Sequence, residues 1–231
     1  QDAWPYVLLN HTDTLRDLMT CAHELGHGMH FALSSERQTA LSMHAPLALC
    51  EVPSTFAELL VFDRMMQSEP DAATRLALVR QELESGFATV FRQTMMVRYE
   101  QDAYGARADG QALTPDRLSE FWFARNAAYY GDSMELPEGY RRGWSYIPHF
   151  INTRFYTYAY AFAHLASLTL YALYREDGDA FVAPYIDFLA TGGAASPGEQ
   201  LGRFGIDLAD VATWTRGLDE MERMLELAIA G

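Results

Sequence analysis

The chain has little that would tie it to nucleic acid, a membrane or an oxidising compartment. Basic residues are the minority: 17 Lys and Arg stand against 31 Asp and Glu, a net charge of −14. Nucleic-acid binding needs a basic face, so no nucleic-acid partner is expected. No apolar run reaches the roughly eighteen residues that a transmembrane helix requires, so no membrane-spanning segment is expected. Only two cysteines occur, Cys21 and Cys50. They build no disulfide framework and read as free, small buried hydrophobes in a reducing compartment, which points to the cytoplasm. Low-complexity tracts and internal repeats are also lacking. The 49% of hydrophobic residues in 231 is therefore enough for a sizeable core. The chain starts at Gln1 without a Met, which reads as a portion of something longer, and a targeting segment is not judged from it.

What is present centres on Ala22-His23-Glu24-Leu25-Gly26-His27-Gly28-Met29-His30. On a helix, His23 and His27 stack on one face a turn apart, where two imidazoles can grip one divalent ion. Glu24 sits on the adjoining edge, within reach of a water that needs a general base. A catalytic zinc takes three protein ligands and keeps one position open, so a third ligand must come from elsewhere. Glu51, 28 positions after His23, and Glu58 are both candidates, and spacing alone does not choose between them.

The pattern around these residues is almost entirely α. Trp4–Asn10 is the exception, reading as a short N-terminal strand whose edge could pair with an extended peptide. Thr12-Asp13-Thr14 and Asp17 start a helix that runs to about Leu33, with Leu15, Leu18, Met19, Ala22, Leu25 and Met29 as its stripe. Residues 34–47 read as a loop. Further helices are expected at about 49–67, 71–104, from Thr114-Pro115 onward, at 152–175, at 177–190 and from Asp207 to the end. The helix at 152–175 is very aromatic. Trp122, Trp144 and Trp214 read as core, and His11 and His164, which have no partner signal, as structural. His30 reads as a packing or supporting residue, His44 as a loop residue that either touches substrate or is simply solvated, and both cysteines as facing away from the ligand side.

The stretch His23–His30, followed by Leu49-Cys50-Glu51-Val52-Pro53-Ser54-Thr55-Phe56-Ala57-Glu58, resembles the oligoendopeptidase F family. That family stands with thimet oligopeptidase and neurolysin among the zinc oligopeptidases. Tyr6–Asp17 is also similar to its members, as is Tyr146-Ile147-Pro148-His149-Phe150 with Phe155-Tyr156-Thr157-Tyr158-Ala159-Tyr160. The resemblance covers the whole chain as a C-terminal catalytic portion. It implies a mainly α, zincin-like helical catalytic domain over 1–231, with the short strand or a small sheet near the active site.

The resemblance also implies roles. His23, His27 and Glu51 match the ligands of one zinc ion, Glu24 the general base, and Glu58 a carboxylate that orients a ligand histidine. His149, with one or two of Tyr156, Tyr158 and Tyr160, matches the segment that holds the substrate carbonyl and the oxyanion; Tyr158 is favoured. Many relatives carry a tyrosine two positions after that histidine, where this chain has Ile151. The expected activity is zinc-dependent cleavage of internal bonds in short peptides, with Glu24 taking the proton of a water whose pKa the zinc lowers to about 7. The alternatives are a carboxypeptidase of the related helical type, and a metal-binding fragment without activity. Oligomeric state is not read from the sequence.

Overall fold

Thr14 and Asp17 close a reciprocal capping box that starts the first helix. Asp17 N–H donates to Thr14 Oγ1 at 3.2 Å, and Thr14 N–H donates to Asp17 Oδ2 at 3.1 Å. Thr12 donates its hydroxyl to the same carboxylate at 2.8 Å. These hydrogen bonds hold the Asp17 carboxyl well below the usual carboxylate range. In the computed structural model, which describes residues 5–230, helix α1 then runs over Leu15–Arg37. It is followed by α2 (Val52–Ser68), α3 (Ala72–Phe87), α4 (Gln93–Ala108), α5 (Pro115–Tyr130), the single turn α6 (His149–Asn152), α7 (Tyr158–Asp177), α8 (Asp179–Thr191), α9 (Pro197–Gly202) and α10 (Val211–Ala230). None of these is long and apolar enough to cross a membrane. The chain divides into two compact units, Gln1–Ser85 with Phe162–Gly231, and Gly86–Ala161.

In the first unit α1 lies across α2 and α8. Phe56 anchors the core: its ring lies 4.3 Å from Tyr185 and 5.9 Å from Phe181, between ring centres. Gly26 explains how α1 and α2 approach so closely. A Cβ there would fall 2.5 Å from the Pro53 carbonyl oxygen and 2.6 Å from Ser54 Cα. A glycine inside a helix costs about 1 kcal/mol relative to alanine, and here that cost permits backbone-to-backbone contact. Ser167 on α7 donates to the Val52 carbonyl at 3.0 Å, fastening the first turn of α2.

In the second unit α4 and α5 enclose Met95, Met96, Tyr99, Trp122 and Ile147. Trp122 is fully buried, and its indole N–H donates to the Tyr140 carbonyl at 3.0 Å. That carbonyl belongs to a 3₁₀ segment, Glu138–Tyr146.

Several expected elements differ. Among the described residues there is no strand: 5–14 is irregular, Tyr6 and Leu8 are almost fully exposed, and Trp4 lies outside the described residues. A strand exists only by pairing, and this all-helical surround offers it no edge. The expected helix over 71–104 is α3 and α4 joined by a π-helical turn, Ala88–Arg92. The extra residue in that turn rotates the apolar stripe, so Val90 and Met95 are buried while Phe87 and Phe91 stack on each other at the surface. The aromatic helix begins at Tyr158 and not near Asn152, because Phe155 takes the left-handed conformation at φ 58° and breaks the run. Helix α1 continues to Arg37, into the expected loop. Glu51 stands just before α2 and not within it, with Pro53 in the first turn where its missing N–H is harmless.

Candidate active site

His23 and His27 emerge from α1 one turn apart, their rings 4.8 Å apart and nearly perpendicular. The chain leaves α1, passes a 3₁₀ turn at Leu47–Leu49 and brings Glu51 back across them. Glu51 Oε2 lies 3.3 Å from His23 Nε2 and 3.4 Å from His27 Nε2. One ligand atom from each of the three residues falls within 4.8 Å of the others, and each residue is half-buried. Ser54 supports the carboxylate: its hydroxyl donates to the Glu51 carbonyl at 2.9 Å and lies 3.3 Å from Oε2.

The other nitrogen of His23 is engaged from the opposite side. Nδ1 lies 2.7 Å from Glu58 Oε1. Burial disfavours the charged ring, but hydrogen bonds to Glu51 and Glu58 outweigh it and raise the His23 pKa to about 10. The same histidines hold the Glu51 carboxyl far below its usual range, against burial. Two carboxylates thus bracket one imidazole. With Nδ1–H donated to Glu58, a neutral ring turns its Nε2 lone pair toward a carboxylate oxygen. A cation at the convergence point converts that opposition into attraction, so this donor set fits a zinc ion.

Glu24 and His27 form part of the wall of a cleft of about 310 Å³, with Tyr6, Phe31, His44 and Cys50 among the other lining residues. Cys50 therefore does not face away from this side. It sits in the turn before α2, where helix phase does not apply, and its thiol is half-buried with Sγ 3.6 Å from the Ala45 and Pro46 carbonyls. Burial, then the Glu51 charge, push that thiol's pKa up. His30 is buried, and burial together with His27 lowers its pKa to about 4. His44 packs edge-on against Phe31. Sequence reasoning missed Ser54 and the packing role of Gly26. A glycine in the middle of an otherwise sound helix was the available signal.

In the second unit His149, Tyr156 and Tyr160 cluster. The His149 ring stacks on Tyr156 at 5.6 Å and 14°, and His149 Nε2 lies 3.1 Å from the Tyr160 hydroxyl. The Tyr156 and Tyr160 rings are 5.0 Å apart. Tyr158 opens α7 and is 42% exposed. Ile151 is 65% exposed.

The family model described as Peptidase family M3 matches residues 1–220. Oligopeptidase PepF of Bacillus subtilis is 32% identical over 228 residues, which are 96% of this chain and 34% of that protein. The plasmid-borne oligoendopeptidase F of Lactococcus lactis subsp. cremoris is 30% identical over 235 residues, 99% of this chain and 39% of that one. A crystal structure of oligoendopeptidase-F from Enterococcus faecium matches with a TM-score of 0.73 at 26% identity, covering 92% of this chain and 40% of that one. The chain thus spans little more than a third of the length of the curated relatives it matches.

Proposed function

The chain belongs to peptidase family M3, and on that premise we propose that it is the catalytic portion of a zinc-dependent oligoendopeptidase that hydrolyses internal bonds of short peptides. The observation that carries this reading is the convergence of His23 Nε2, His27 Nε2 and Glu51 Oε2 beside a cleft whose wall includes Glu24. His23, His27 and Glu51 would hold the zinc. When bound, the ion supplies Lewis acidity, which acidifies water and polarises a carbonyl oxygen.

The chain's own residues do the rest. Glu24 removes the proton from the attacking water and returns it to the leaving amine, the general-base and general-acid roles of one carboxylate. Glu58 holds the Nδ1–H of His23, which fixes the tautomer and keeps Nε2 available as a ligand. Ser54 restrains Glu51. His149 with Tyr156, Tyr158 or Tyr160 supplies donors to the developing oxyanion, each worth about 3–4 kcal/mol where such a donor is preorganised. The hydroxyl of Tyr160, 3.1 Å from His149 Nε2, supports that tyrosine among the three candidates.

Hydrolysis of an internally quenched peptide blocked at its C-terminus, by the zinc-loaded protein, tests the proposal. An endopeptidase cleaves it at an internal bond. A carboxypeptidase of the related helical type cleaves only the free-ended version, and cleavage of neither supports an inactive metal-binding portion.

A further inference from the structure

We propose that Glu100, on α4, is a positioning residue that holds the loop carrying Tyr156 in its working shape. The inference rests on the reading of Tyr156 and His149 as groups that bind substrate. Glu100 is buried, at 4% exposure. A carboxylate taken from water is costly unless its oxygens find hydrogen-bond donors, and both oxygens of Glu100 find them on the same short loop. Oε1 accepts the Phe155 N–H at 3.2 Å, and Oε2 accepts the Thr157 hydroxyl at 2.8 Å. These two donors flank Tyr156 on either side.

The loop needs holding. Phe155 sits at φ 58°, a left-handed conformation that bulky residues avoid. Such strain persists only where the surroundings over-determine it. Here α4 provides two restraints from one face, since Glu100 and Tyr104 are a helical turn apart. Glu100 takes the Phe155 amide, and the Tyr104 ring packs on the Phe155 ring at 4.6 Å. Thr157 is fully buried beneath. Pinned at 155 and 157, the chain presents residue 156 outward, where its ring meets His149 and Tyr160. An apolar side chain would fill the same interior volume. A carboxylate there supplies what a hydrocarbon does not: two acceptors spaced to grip a backbone N–H and a hydroxyl two residues apart.

The test uses zinc-loaded protein and the variants Glu100→Ala, Glu100→Gln, Thr157→Val and Tyr156→Phe. Glutamine preserves both contacts, because its oxygen accepts the Phe155 N–H while its NH₂ donates to a reversed Thr157 hydroxyl. Glu100→Gln is therefore expected within about twofold of wild type. Thr157→Val is expected to lower kcat about tenfold and Glu100→Ala about a hundredfold, with KM little changed and zinc content the same. Hydrogen exchange at the Phe155 amide speeds up in Glu100→Ala and Thr157→Val and not in Glu100→Gln. In the Tyr156→Phe background Thr157→Val adds little further loss, because both act through one side chain.

If Glu100→Ala does not fold, Thr157→Val carries the test, since it replaces one hydroxyl with a methyl of the same shape. Wild-type exchange and kcat in Thr157→Val overturn the proposal. So does a Thr157→Val loss that multiplies in full with the Tyr156→Phe loss, because that marks a role confined to general stability. Faster exchange in Thr157→Val alongside full activity in Tyr156→Phe overturns the reading of Tyr156 and leaves the grip of Glu100 on the loop standing.

Discussion

His23 offers its two ring nitrogens to two different carboxylates: Nδ1 lies 2.7 Å from Glu58 Oε1, and Nε2 lies 3.3 Å from Glu51 Oε2. The first contact fixes the ring and the second aims it at the convergence point with His27. Removing the first is expected to weaken zinc binding without removing a ligand. Glu58→Ala should raise the zinc dissociation constant about 10–100-fold, the usual cost of losing a carboxylate behind a ligand histidine. Glu58→Gln should lose less, because its carbonyl still accepts the Nδ1–H. Chelator competition measures both, and an unchanged affinity in Glu58→Ala would remove Glu58 from the site.

Gly26 makes a second expectation. Its α carbon meets the Pro53 carbonyl and Ser54 Cα with no room for a methyl group. Gly26→Ala should push α2 off α1, costing about 1–3 kcal/mol from overpacking and lowering Tm by about 2–4 °C for each kcal/mol. Zinc affinity should fall with it, since the displaced turn carries Glu51. Gly105, exposed within α4 and with open space around it, is the matched control. Gly105→Ala should stabilise by about 0.4–1 kcal/mol. Thermal melts of the two proteins compare them directly, and equal Tm shifts would contradict the packing account.

Acid sensitivity is the third. Burial lowers the His164 pKa from 6.5 to about 4 in the folded chain. The unfolded chain then binds more protons between those values, so folding stability rises with pH across that window. The contribution of His164 is complete above about pH 6.5 and is lost as pH falls toward 4, by about 3 kcal/mol at most. Urea unfolding of metal-free wild type and His164→Leu at pH 7, 5.5 and 4.5 isolates it. Wild type should lose stability on acidification more steeply than the variant, and parallel losses would show that His164 is not the source. Glu82 works with the opposite sign, since burial and then the Glu58 charge raise its pKa to about 7. The comparison between variants therefore matters more than the wild-type slope.

The helical period of Leu15 to Met29, with the Thr14–Asp17 box in front of it, made α1 and its His-Glu-x-x-His face legible, because each depends only on local spacing. The choice of Glu51 over Glu58 was not local. It depends on a turn and a glycine-mediated crossing, and only resemblance separated the two carboxylates. In the structure both address His23, from opposite sides. The strand expected at Trp4–Asn10 is not found among its described residues, because β-rich composition states a preference, while a strand needs a partner that the described helices do not provide. The start of the aromatic helix was misplaced by several residues because Phe155 is held at positive φ by Glu100, 55 positions away. No window of local sequence carries that contact. Tyr156 and Tyr160 pack together around His149, although Tyr156 precedes the helix that opens at Tyr158.

In the proposed mechanism Glu24 moves the proton while other residues hold the metal. Turnover of an internally quenched peptide by wild type and Glu24→Gln, with bound zinc measured in both, tests this most directly. One zinc per chain is expected in each protein, with turnover lower by several orders of magnitude in Glu24→Gln. Equal turnover in the two proteins, at equal zinc content, would contradict it.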